Sequence, residues 1–444
     1  MDIFQSLQNY ANLNFMVDVE DKLPIFIASI GAHLFNSMNK CSMCDFDPEL
    51  VEEGEFSIPN CPMRHPNPPF YTPMGHVADT RIHILMRGVK GSGKTALIDM
   101  FLNAGTGIIW SPKASRGEGF RTMIGPNSIT EAGMFGSVDE EGKVMGRPLA
   151  REMCGGFLGF EEFSSVIDAG KKDHSIDMKN QLLTSTDSGR VMKGMRSGWV
   201  QYSTRMTIWA GTQPGRFELE SGLDRRFFII DINMNPAKEL LYKQAGQKMT
   251  NMSSERRAKA NKLRFAMREW LTERQLSAML NPPSQTRFGD DVQVWLERSE
   301  VRSFEADLYR RLMIGYWVMQ EDYNPDPVLE ISIDERLMGI LEDALRMRRT
   351  VMDADLQLIK TTFWLRDLPK STLVKEVSRM VTMGDYQTAK RWIEESLVPQ
   401  EWYHEIKADK EGRGRKGVVC RIGYEPPPIK EKKALDWGEW KRGV

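Results

Sequence analysis

Short apolar runs, each closed by glycine or a polar cluster, recur from about residue 80 to residue 235. Ile82-His83-Ile84-Leu85-Met86-Arg87 reads as a buried strand, and Ala96 to Leu102 as the helix that follows it. Gly156 to Phe160, Arg205 to Thr212 and Phe227 to Asp231 repeat the pattern of a strand buried on both faces. Alternation of such runs with helical patterns predicts a parallel sheet flanked by helices. From 236 to about 350 the spacing turns almost wholly helical, with apolar positions one helical turn apart in Met313 to Met319 and Leu337 to Leu345. Ser371-Thr372 is expected to cap a helix running to about Val381, and Gly384-Asp385 to break it. Tyr386 to Leu397 then reads as a second helix, followed by two strands, Trp402 to Ile406 and Gly417 to Ile422. Five segments follow: an N-terminal segment (1–80) ending in the stiff connector Pro66-Asn67-Pro68-Pro69, an α/β core (81–235), a helical lid (236–353), a C-terminal domain (354–425) and a proline- and charge-rich tail (426–444). No internal repeat is visible.

Composition narrows this picture. The chain has 444 residues, enough for two or three domains, and a net charge of −1. Any nucleic-acid contact must therefore come from local basic patches. No apolar run is long enough to cross a bilayer, and the first residues lack a basic leader, so a cytoplasmic protein with no membrane partner is expected. Five cysteines, an odd number, do not suggest a disulfide framework.

The sharpest chemistry lies between the first strand and its helix. Gly88-Val89-Lys90-Gly91-Ser92-Gly93-Lys94-Thr95 is a complete phosphate-binding loop, GxxxxGKT, in the strand–loop–helix context that gives the pattern meaning. Gly88, Gly91 and Gly93 let the backbone turn its N–H groups, including that of Ser92, towards phosphate oxygens, and the helix N-terminus adds its partial positive charge. Lys94 would reach the β- and γ-phosphates of ATP, and Thr95 would ligate Mg²⁺.

A phosphate loop alone does not hydrolyse ATP. A second strand must deliver an acid, and the run Gly156 to Phe160 is closed by Glu161 and Glu162. Glu161 would sit near the metal and Glu162 would orient or activate water. The strand ending Gly211-Thr212-Gln213-Pro214 brings an amide that can touch the γ-phosphate or the attacking water. Arg225 and Arg226 precede the last strand. Such an arginine, placed at a neighbouring subunit's γ-phosphate, would stabilise transition-state charge.

The order of these parts, over residues 82 to about 325, resembles the AAA+ module of the minichromosome-maintenance (MCM) helicases and their helix-2-insert relatives. Ser115 to Thr122 is similar to the stretch leading into the family's insert. Glu131-Ala132-Gly133, Asp139 to Lys143 and Arg147 to Ala150 are similar to the insert hairpin. Gly155 to Phe163 resembles the strand that ends in Asp-Glu-Phe. Gln181-Leu182-Leu183 and Gly189-Arg190-Val191 resemble the helix and hairpin before sensor 1. Ala210 to Pro214 and Leu223 to Phe227 stand where the family has Ala-Ala-x-Asn-Pro and Leu-Ser-Arg-Phe-Asp. The resemblance implies that Glu161 replaces the usual aspartate, Glu162 is the catalytic glutamate, Gln213 replaces the sensor asparagine, Arg226 is the finger and Arg302 a sensor-2 arginine. A ring, in the family a hexamer, with ATP between subunits is implied as well.

Basic residues then acquire a candidate role. Arg190, Lys193 and Arg196 in one glycine-containing hairpin, with Lys143 and Arg147 in the insert, are positioned in such a ring to grip a nucleic-acid backbone. The C-terminal order of helix, turn, helix and basic hairpin reads as a winged helix. Lys390 and Arg391 would enter a major groove, and Arg413, Arg415 and Lys416 in the wing would touch phosphates; a protein-binding winged helix is the competing reading. At the other end, Cys41-x-x-Cys44 and Cys61-x-x-x-His65 form a candidate Zn²⁺ knuckle of three thiolates and one imidazole.

The expectation is an ATP-driven DNA translocase or helicase serving replication of a small replicon. Two alternatives stand beside it: an origin-binding initiator that uses ATP as an assembly switch, and a chelatase-like ATPase that remodels protein.

Overall fold

The computed structural model describes residues 1–38, 79–88, 90–114, 118–126, 128–141, 144–163, 176–196, 198–213, 226–232, 236–280, 283, 285–299, 301, 303–324, 328–363, 366–382, 385–400, 403–407 and 418–422. The described residues divide into two compact units, one up to Val351 and one from Met352 onward. No described helix is long and apolar enough to cross a membrane.

The first unit is organised by a five-stranded parallel sheet: β1 (His83–Gly88), β2 (Thr122–Ile124), β5 (Phe157–Phe160), β8 (Thr207–Thr212) and β9 (Phe227–Ile232). Their order is β2-β5-β8-β1-β9, so the phosphate-loop strand lies inside the sheet, flanked by β8 and β9. Arg87 pairs with Thr212 on one side and Asp231 on the other. Parallel strands need crossovers, and their side chains are buried on both faces; Ile84, Leu85, Met86, Phe157, Leu158, Ile208 and Trp209 are all buried. The mixed α/β class read from the apolar runs is thus present.

The N-terminal helices belong to this same core. Helix α1 (Ile3–Leu13) is capped by Asp2, whose carboxylate accepts from the Gln5 N–H at 3.1 Å. Helix α2 (Leu23–Met38) is apolar around most of its circumference and is buried accordingly. Its Ser29 hydroxyl donates to the Ile82 carbonyl at 2.7 Å and accepts from the Trp209 indole at 2.9 Å. Phe26 stacks on Phe101 of α3 (Lys94–Leu102) and meets Trp209 edge-on.

Between β2 and β5 lie two short helices, α4 (Glu131–Phe135) and α5 (Leu149–Glu152), with the antiparallel pair β3 (Ser137–Val138) and β4 (Val144–Met145) between them. Helix α6 (Ile176–Ser188) leads into an antiparallel hairpin, β6 (Arg190–Met195) and β7 (Gly198–Ser203). After β9 come α7 (Pro236–Thr250), α8 (Ser254–Leu280), α9 (Asp290–Arg298), α10 (Ser303–Val318) and α11 (Glu335–Phe363). This region is mostly helical as expected, but a parallel pair, β10 (Gln285–Phe288) with β11 (Val328–Ile331), interrupts it. Four-residue strands are too short for their alternation to stand out in a helix-rich stretch.

The second unit begins within α11 and contains β12 (Arg366–Pro369), α12 (Lys370–Met380), α13 (Tyr386–Trp392) continuing as a π-helical turn to Leu397, β13 (Tyr403–Lys407) and β14 (Val418–Ile422). The strands form one antiparallel sheet of order β12-β14-β13. Leu373, Val377, Ala389, Ile393, Leu397 and Ile422 share its core. The expected Ser371-Thr372 cap is corrected: α12 starts at Lys370 with Pro369 at the cap, so both residues sit inside the first turn. Proline's fixed φ ends β12 and opens the helix at one residue. Asp385 caps α13, accepting from the N–H groups of Gln387 and Thr388.

Candidate nucleotide site

The phosphate loop leaves the C-terminal end of β1, where parallel α/β sheets present their ligands. Gly91 and Gly93 have φ of +84° and +85°, a left-handed backbone that side chains rarely adopt. Gly93 stands at the cap of α3 without any side-chain cap, so the first N–H groups of that helix are left for a ligand. Lys94 is buried. Its ammonium donates to the Gly88 carbonyl at 2.5 Å and lies 3.4 Å from the Ser92 hydroxyl, a position that holds it over the loop. Burial pulls its pKa below the ordinary lysine value, and the Glu162 carboxylate opposes that shift. Thr95 is exposed beside it.

The carboxylates arrive from β5, two strands away. The intervening strand closes the gap because Gly211 near the end of β8 has no side chain: a Cβ there would sit 2.7 Å from the Glu161 carbonyl oxygen and 3.4 Å from Lys94 Cβ. The Phe163 N–H donates to the Gly211 carbonyl at 2.7 Å and fixes the turn carrying both glutamates. Gln213, just beyond β8, donates from Nε2 to Glu162 Oε2 at 3.0 Å. Lys94, Glu161, Glu162 and Gln213 are thereby gathered at one end of the sheet. The donor set suits a magnesium-bound nucleoside triphosphate: an exposed hydroxyl at Thr95, a carboxylate at Glu161, a buried ammonium and an uncapped helix end.

A cavity of about 450 Å³ adjoins α3, lined by Tyr10, Phe15, Met16 and Val17 from the N-terminal arm, Ala96 and Met100 from α3, and Tyr242, Ala245 and Met249 from α7. Its walls are mainly apolar and aromatic, apt for a flat heteroaromatic ring. The arm between α1 and α2 holds two non-glycine residues at positive φ, Phe15 (54°) and Asp18 (59°), a conformation that persists only where surroundings enforce it. Those surroundings are visible. The Arg256 guanidinium lies 3.7 Å from the Phe15 ring and donates to the Leu13 and Asn12 carbonyls. Lys238 pairs with Asp18 at 2.8 Å. The Tyr242 hydroxyl is 3.2 Å from the carbonyls of both Val17 and Ser92, linking arm and phosphate loop; burial pushes its pKa up to about 12. Part of the support is local, since Lys22 donates to the Asp18 carbonyl at 2.6 Å, but Arg256, Lys238 and Tyr242 come from helices more than two hundred residues downstream, and nothing in the sequence marks them as partners.

Arg226 lies elsewhere. It precedes β9, whose first residue pairs with His83 at the opposite end of β1 from the loop. Six strand residues span roughly 17 Å, beyond an arginine's reach to its own phosphate loop. Arg226 is only 8% exposed and pairs with Asp187 at 2.8 Å. Of the hairpin candidates, Lys193 is paired with Glu131 at 2.8 Å and largely covered, whereas Arg196 is exposed; Arg190 is placed by its backbone alone, opposite Ser203. Arg147 is exposed after β4. Lys390 and Arg391 are exposed on α13, with the Lys390 ammonium 4.9 Å from the Tyr386 ring. The zinc candidates Cys41, Cys44, Cys61 and His65 lie outside the described residues, as do Lys143, Arg302, Arg413, Arg415 and Lys416. Among the described residues no group of three or more His, Cys, Asp or Glu side chains comes together in a way that could hold a metal ion.

Neither a protein-family model nor a curated protein matches the chain.

Proposed function

We propose that the chain is an ATP hydrolase of the AAA+ type, working as a ring-forming DNA translocase of the MCM-like kind. The observation that carries this reading is the convergence of a buried phosphate-loop lysine with a glutamate–glutamine pair at the C-terminal ends of β1, β5 and β8. Lys94 and the α3 N-terminus bind the β- and γ-phosphates. Mg²⁺, held by Thr95 and Glu161, would neutralise charge on those oxygens. Gln213 orients Glu162, and Glu162 accepts the proton of the attacking water as the bond between the γ-phosphorus and the bridging oxygen breaks and ADP leaves. The apolar cavity beside α3 takes the base.

Further features support the finer parts of the reading. The sensor strand β8 lies between the loop strand and the acid strand. A hairpin stands between two short helices at the place of the family's insert, and a basic hairpin precedes β8. Arg226 cannot serve its own loop, so a finger role requires a neighbouring subunit and release from Asp187. The second unit has the helix, strand, two helices and hairpin of a winged helix. One observation favours a protein partner there instead: Glu394 and Glu395 are exposed next to Lys390 and Arg391, and they would face phosphates unfavourably.

Steady-state ATP hydrolysis with and without single-stranded DNA tests the proposal, with Lys94→Ala as the control. Hydrolysis that is stimulated by DNA and absent in the control is expected. Turnover indifferent to DNA would move the reading to an initiator or a protein remodeller, and no turnover at all would remove the enzyme assignment.

A further inference from the structure

Among the described residues no large apolar side chain is more exposed than Trp199, at 71%. It sits on β7 directly opposite Gly194 of β6. A Cβ at Gly194 would lie 3.2 Å from the indole, so the glycine lets the ring rest against the strand backbone while its other side faces solvent. Met192, 50% exposed, lies two positions along from Gly194 and therefore on the same face.

The opposite face of this hairpin is tied down. Val191, Val200 and Tyr202 are buried, and the Tyr202 hydroxyl donates to the Phe135 carbonyl at 3.1 Å. Lys193 pairs with Glu131, and Gln181 donates to the Met192 carbonyl at 2.9 Å. The exposed indole is thus carried on an anchored support. Residues 189–203 contain three basic side chains and no Asp or Glu, and Arg196 in the turn is exposed.

An exposed indole near the exposed cation Arg196 suits a partner with flat rings on an anionic backbone. We propose that Trp199 is a stacking platform for an unpaired base of a single-stranded nucleic acid, with Arg196 meeting the adjoining phosphate. Duplex DNA keeps its bases stacked on each other and offers the indole no face, so the site is specific for single strands but tolerant of sequence. This inference rests on the nucleic-acid reading of the same hairpin and adds the residue that meets the base.

The test uses the full chain and a fluorescein-labelled oligo-dT, read by anisotropy across a salt series. Trp199→Ala is expected to weaken binding about 5- to 100-fold with the salt slope unchanged. Trp199→Phe should retain most of the affinity, and Arg196→Ala should lower the salt slope by about 1. Hydrolysis of ATP without DNA should be unchanged in Trp199→Ala, which also controls for folding. Intrinsic fluorescence gives an independent readout: oligo-dT should quench wild type more than Trp199→Phe. Wild-type affinity and slope in Trp199→Ala, with Arg196→Ala weakened, overturn the stacking role and leave the nucleic-acid reading standing. No binding by wild type overturns both. Loss of assembly in Trp199→Ala, seen by sedimentation, overturns the proposal by making the indole a subunit contact.

Discussion

Gln213 donates to Glu162 at 3.0 Å across the ends of two neighbouring strands, β8 and β5. The amide holds one carboxylate oxygen, so the orientation of Glu162, the general base of the proposed mechanism, is set by a residue that need not itself exchange protons. Glu162→Gln should therefore keep nucleotide binding while lowering kcat by roughly 10²- to 10⁴-fold. Gln213→Ala should lower kcat by roughly 10- to 100-fold, the loss of one hydrogen bond to a charged group. Phosphate release with fluorescent-nucleotide binding checks both; a normal kcat in Glu162→Gln would sink the assignment.

Helix α2 and helix α10 cross with their backbones touching. A Cβ on Gly31 would run into the Gly315 carbonyl, and one on Gly315 into the Ala28 carbonyl. Around Gly315 the nearest atoms are all backbone, and around Gly31 the Met319 side chain adds to the Gly315 backbone, so a shift of one side chain cannot relieve either clash. Gly31→Ala or Gly315→Ala should destabilise the first unit by about 3 kcal/mol, at the upper end for overpacking. Urea melts followed by near-ultraviolet circular dichroism would show it; a midpoint within error of wild type would mean the helices separate freely.

This crossing marks where sequence reading stops. The strands β1, β5, β8 and β9 and the phosphate loop were legible because each is a short apolar run with glycine or a polar group at its end, and burial on both faces leaves little else possible. Glu162 and Gln213 were found as strand-end residues, though not as partners. Helix α2 passed unread: an almost uniformly apolar segment gives no periodicity to name its neighbours. Lys193 read as an open cation because its partner Glu131 is sixty-two positions away. The Phe15–Asp18 arm was invisible for the same reason. Its backbone is held in part by Arg256, Lys238 and Tyr242, and local composition carries no trace of them.

The cavity beside α3 predicts a separation between base and phosphate recognition. Ala245 lies on α7 and lines the cavity, one helical turn beyond Tyr242, whose ring is the neighbour of Gly93 in the loop. Ala245→Phe should fill the space a base would take and weaken ATP binding about tenfold or more, leaving tripolyphosphate binding unchanged. Calorimetric titration of both ligands checks this. Equal losses for the two would mean that the substitution disturbs the loop, and no loss for either would place the base elsewhere.

His33 and His83 make the fold acid-sensitive. His33 bonds to the Thr207 hydroxyl at 2.8 Å and the Gly155 carbonyl at 3.1 Å; His83 accepts from the Ile208 N–H at 3.0 Å and donates to the Thr186 carbonyl at 3.2 Å. Burial, with the Arg81 charge adding to it, lowers both pKa values from 6.5 to about 3. Below pH 6.5 the unfolded chain binds two protons that the folded chain refuses. The stability conferred by neutral imidazoles is therefore full above pH 6.5 and is lost as pH falls towards 3. The slope approaches about 1.4 kcal/mol per pH unit for each histidine. Asp79 adds little in the upper part of this window: burial raises its pKa, but Arg81 more than offsets that and holds it below the ordinary carboxylate value. Urea midpoints should be flat from pH 8 to 7 and fall steadily from pH 6 to 5. His83→Asn should halve the fall while lowering stability throughout. A flat profile down to pH 5 would show that both imidazoles take up protons in the folded state, and a half-sized fall that one of them does.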